Sequence, residues 1–145
     1  MVKISLIAGL AAAGLALPAV AAEDPIAARQ ALMSANGAAG AVAGAMLKDE
    51  LPYSPVVAKS VIATVNGTAH AVGDFFPEGT LDPAKSEAKA NIWEDPAGFT
   101  EALVTFQEAA ASGKDGPADK AAFGAAMKPV FDACQGCHED YRVEN

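Results

Sequence analysis

The chain has 145 residues, ten basic and 18 acidic, for a formal net charge of −8. That length suits one domain, and so acidic a surface excludes nucleic acid as the main partner, because such binding rests on Lys and Arg neutralising phosphates. It favours partners with a positive docking face, although an acidic balance is also an ordinary route to solubility.

The first 22 residues read as an export signal and not as part of the fold. Lys3 supplies a positive start, Ile4 to Leu17 is an apolar run, Pro18 breaks it, and Val20-Ala21-Ala22 offers small residues for cleavage. The competing reading, a membrane anchor, is disfavoured because those 14 residues fall short of the ~20 that span a bilayer. The mature chain is therefore expected to be one domain over 23–145, with no membrane span and, without Lys3, a charge of about −9.

Four helices follow in order. Residues 24–48 are rich in Ala, Leu, Met and Gly, with Pro25 suited to a first turn. Leu51 to Pro55 is a break, and a second helix is expected over Val56–Asp74, with Val57, Val61, Val65 and Val72 mostly three or four apart. Residues 75–95 contain Pro77, Gly79 and Pro83 and read as a long loop. Asp95-Pro96 opens a third helix as cap and first residue, ending near Ser112. Gly113 to Gly116 is a turn, and a fourth helix is expected from Pro117 to about Arg142. Four helices, short breaks and one long loop predict an all-α, antiparallel four-helix bundle.

The chemistry lies in Cys134-Gln135-Gly136-Cys137-His138, the attachment pattern of haem c. Positions three apart share a helix face, so both thiols can reach the two vinyl groups of one porphyrin while His138 turns to the iron. Three other readings compete. The two cysteines could form a disulfide in an oxidising compartment. A thioredoxin-like pair needs a strand–helix setting that this chain lacks. A structural zinc site needs a fourth ligand, and His70 is the only other histidine.

The motif ends eight residues from the C-terminus, and a helical chain ending in Cys-x-x-Cys-His-Glu-Asp-Tyr-Arg resembles the class II c-type cytochromes, the cytochrome c prime family. The resemblance extends over the mature chain through Arg29-Gln30-Ala31-Leu32-Met33, Leu51-Pro52-Tyr53, Phe76-Pro77-Glu78-Gly79-Thr80, Ile92-Trp93 and Phe99. It implies a periplasmic, left-handed bundle, often a homodimer, with haem c between the helices. Two branches share that fold. In one, the iron is five-coordinate beside an apolar pocket that admits NO or CO. In the other, a methionine of the first helix closes the sixth position and the protein passes electrons.

The matching methionine is Met33, whose soft thioether would raise the reduction potential as a haem ligand; the competing reading is a core side chain lining the pocket. Met33, Gly37, Gly40 and Gly44 recur on one helix stripe. That stripe would let the backbone approach the haem, or equally a facing helix. Leu32 to Gly37 and Met127-Lys128-Pro129 resemble the Met-ligated branch, and Gly73 stands near the place where some gas-binding relatives carry a bulky aromatic. Pro129 is expected to kink the fourth helix. The resemblance supports Arg29 and Arg142 as partners of haem propionates, for which guanidinium forks are suited. Met46, Met127 and His70 are weaker ligand candidates, and Tyr141 and Phe131 would edge the haem or fill core. With no catalytic pair or nucleophile arrangement, the expected function is non-enzymatic: a periplasmic one-electron carrier with redox partner proteins. The gas-binding reading is the alternative.

Overall fold

The computed structural model describes residues 24–143, and the expected signal peptide, residues 1–22, lies outside them. Four long helices and one short one make up the ordered core: α1 Pro25–Leu47, α2 Pro55–Ala71, α3 Asn91–Glu94, α4 Pro96–Ala111 and α5 Lys120–Tyr141. Each long helix begins where a side-chain oxygen meets N–H groups that the helix itself leaves unbonded. Asp24 accepts from Ile26 and Ala27, Ser54 from Val57, Asp95 from Gly98, and Asp119 from Ala122. In α1, α2 and α4 a proline follows the cap, at the one place where its missing N–H costs nothing.

Three boundaries differ from the sequence expectation, each for a local reason. The last helix opens at Lys120 and not at Pro117, because the extended backbone and free carboxylate of Asp119 make it the cap. Pro117 instead lends its carbonyl to the Tyr53 hydroxyl at 3.2 Å. The second helix ends as an α-helix at Ala71, and Val72–Phe75 tightens into a 3₁₀ turn. The long loop contains the single turn α3. α5 continues through Pro129 as one helix.

α1 packs on α2, α2 on α4, α4 on α5, and α1 on α5, which closes an antiparallel ring of four. Alanines 39 and 43 of α1 and 58 and 69 of α2 are buried, so the first two helices can lie close together. Phe106, Ala110, Phe123, Met127 and Val130 complete one continuous core from the other pair. At the far end of α1, Asp49 takes a left-handed φ of 63° and pairs with Lys120 at 2.6 Å, tying that turn to the start of α5. α1 and α5 are the least closely packed neighbours of the ring. Between them the bundle opens into a cavity, walled on one side by the long loop. An antiparallel bridge joins that loop to the end of α5, with Lys89 N–H donating to the Tyr141 carbonyl and Val143 N–H to that of Glu87.

Candidate functional site

The cavity measures ≈ 1000 Å³ and gathers side chains from α1, α2, α4, α5 and the loop. Cys134, Cys137 and His138 reach it from the last two turns of α5. Met33 and Arg29 reach it from α1, and Arg142 from the residue after α5. Cys134, Cys137, His138, Met33, Arg29 and Arg142 thus line one space.

Both cysteines are half-buried, and burial is the first cause that pushes their thiol pKa values up. His138 is half-buried, and its pKa is lowered, first by burial and then by the Arg142 cation, with Glu87 opposing. Both leading causes favour the neutral imidazole, the form that binds metals. Val65, Val72, Phe99, Phe106 and Val130 supply apolar walls, whereas Arg142 and Glu87, 3.7 Å apart, lie half-exposed at the rim. The volume is at the upper end of the roughly 300–1,000 Å³ typical of cofactor sites. Two thiols on one helix face, a neighbouring imidazole and apolar walls with a charged rim fit haem c. Among the described residues no group of three or more His, Cys, Asp or Glu is placed to hold a metal ion, which removes the support for a structural zinc site.

The glycine stripe on α1 has a definite meaning here. A Cβ at Gly37 would meet nothing within 4 Å, one at Gly40 only the Phe131 ring at 3.7 Å, and one at Gly44 nothing. Gly37 and Gly40 line the cavity and Gly44 does not. The stripe therefore keeps side chains out of the cavity at Gly37 and Gly40 and makes no close contact with a facing helix at Gly37 or Gly44. Near Gly73, where a Cβ would lie 3.1 Å from Leu103, the Leu103 side chain forms part of the wall.

The weaker candidates separate cleanly. Met46 is buried in the core away from the cavity. Met127 is buried between core and cavity. His70 is exposed on α2, its Nδ1 2.9 Å from the Asn66 carbonyl. Tyr141 and Phe131 both line the cavity, and Tyr141 stacks edge-on against Phe99 at 5.2 Å.

Two parts of the site escaped the sequence reading. Phe99, Ala102, Leu103 and Phe106 form the α4 wall at spacings of three, one and three, a helical stripe that the sequence carries. Residues 83–88 of the loop also line the cavity, and nothing periodic marks them.

A sequence profile of the Cytochrome C′ family matches residues 24–142. A cytochrome c′ of Rhodopseudomonas palustris is 30% identical over 98% of this chain and 97% of its own length. Cytochrome c-556 of the same organism is 30% identical over 85% of each. The solved structure of R. palustris cytochrome c′ superposes with a TM-score of 0.78 at 28% identity, covering 84% of this chain and 98% of the other.

Proposed function

The chain belongs to the cytochrome c′ family, whose haem c is covalently bound, and from that premise we propose a periplasmic one-electron haem protein with a distal side open to small uncharged gases such as NO or CO. When bound, the group supplies a reversible one-electron couple and an iron site for a small ligand. Cys134 and Cys137 would hold it by thioether bonds, and His138 would ligate the iron from α5. Arg142, half-exposed at the rim, would pair with a propionate. Apolar walls exclude water and so help set the potential. Export with cleavage near Ala22, redox partners bearing a positive face, and pairing of two chains belong to the same proposal.

The observation that carries the open distal side is the likeness to cytochromes c′ over the described chain, residues 24–142 by profile and 98% of the chain by the R. palustris relative. The α1 wall agrees with it, because Gly37 and Gly40 put no side chain into the cavity that His138 enters from α5. One residue favours a second reading. Met33 lines that same wall, and its thioether as sixth ligand would make the protein a six-coordinate electron carrier.

Visible spectra of the haem-loaded protein, oxidised, reduced, and reduced with CO, decide between them. High-spin spectra that shift with CO and are unchanged in Met33→Leu bear out the open site. Low-spin spectra indifferent to CO, converted to CO-binding ones by Met33→Leu, replace it with the Met-ligated carrier. Protein without haem from cells competent to attach it would refute both.

A further inference from the structure

Arg29 is only 3% exposed, an unusual place for a guanidinium. A buried cation is tolerated when its donors are bonded, and four of its five are bonded to one segment of chain. Nη1 donates to the Phe75 carbonyl at 3.2 Å and the Thr80 hydroxyl at 3.0 Å. Nη2 donates to the Thr80 carbonyl at 2.9 Å and the Ser86 hydroxyl at 3.1 Å. The cation also lies over the Phe76 ring at 4.9 Å and the Trp93 ring at 5.8 Å. These partners are carbonyls, hydroxyls and rings, and none is a carboxylate.

The segment they hold is the loop that walls the cavity. Gln30 adds a bond of 2.6 Å to the Lys85 carbonyl, and the bridge between Ala88 and Arg142 fastens the other end. The loop is thereby stretched from α1 to the turn of α5 that carries Cys137 and His138. Within residues 76–88 regular secondary structure is confined to that bridge at Ala88, and Pro77 and Pro83 lack N–H donors. Its position is therefore set by these pins together with the Trp93 indole, which donates to the Phe76 and Pro77 carbonyls at 3.1 Å.

We propose that Arg29 is the positioning residue of the haem cavity, holding the strap 75–88 closed over the cofactor. The task needs the fork of donors and not only the charge. It rests on the cavity being the haem site, whichever ligand closes the iron. A charge partner for a propionate, the role expected from the sequence, would need little more than a cation, and lysine could supply that.

Amide exchange of the haem-loaded protein, read peptide by peptide, separates the two. In both Arg29→Lys and Arg29→Gln, exchange over residues 76–88 is expected to rise about tenfold or more while the α2 and α4 core keeps its protection. Their reduction potentials should shift together as water reaches the cavity. A lysine variant with strap exchange and potential like those of the parent overturns the proposal. The double variant Thr80→Val with Ser86→Ala leaves Arg29 in place and removes two acceptors on the strap. It should loosen the same peptides, and unchanged exchange there also overturns the proposal. Parent protein that comes without haem from cells competent to attach it would instead mark failure of the haem-site reading, separately from any strap result.

Discussion

Cys134 and Cys137 stand one helical turn apart, so their two thiols reach the same cavity from the same face of α5. Replacing either with serine should leave one thioether, and replacing both should leave none. After acid–acetone extraction, haem is expected to stay with the chain in Cys134→Ser and Cys137→Ser and to separate from it in the double variant. Retention in the double variant would refute attachment at these positions. The motif was legible because its geometry is local: three residues within one turn specify it. Arg29 was not legible in the same way. Its hydrogen-bonding partners lie 46 to 57 residues away in the chain, and only the folded loop brings them to it. Met33 stands between these cases: its place on the cavity wall follows from helix register, whereas coordination depends on sub-ångström placement that register does not set.

At the scale of elements, caps decided where the helices begin. Asp24, Ser54 and Asp95 each precede a proline and could be recognised from that pair. Asp119 precedes Lys120 and lacks that signal, so the start of α5 was expected two residues before its cap, at Pro117. Asp119→Ala removes the acceptor for the Ala122 N–H, 2.8 Å away. The expected cost is about 1 kcal/mol, within a range of roughly 0.5–2, seen as a lowered urea midpoint of the haem-loaded protein. Asp119→Asn keeps an acceptor and should recover most of it. An unchanged midpoint in Asp119→Ala would show that tertiary packing alone fixes this terminus. The strap is the opposite kind of element. Its prolines and glycine announced a loop, yet its course over the cavity follows from bonds to α1 and α5 that no spacing reveals.

At the scale of the whole molecule, net charge governs encounter. With a formal charge of −8 the chain would attract the proposed basic redox partner at long range, and salt screens such attraction with a Debye length of about 10 Å at 0.1 M. The bimolecular rate of electron exchange with a basic partner should therefore fall as ionic strength rises. With an acidic partner it should rise. Stopped-flow rates across a salt series check both signs, and a rate independent of salt for both partners would mean that docking occurs on a locally neutral patch.

Composition and motif were enough to point to a helical bundle with covalent haem c, because helical periodicity, capping and the Cys-x-x-Cys-His spacing are all short-range properties. No described helix is long and apolar enough to cross a membrane. Only the tertiary structure decided what lines the cavity: the glycine stretch of α1 at Gly37 and Gly40, the α4 wall, and a strap pinned by Arg29. Those features depend on which helix faces meet and how a non-repeating loop is fastened. Such contacts join residues tens of positions apart, and a single sequence records them only as separate letters.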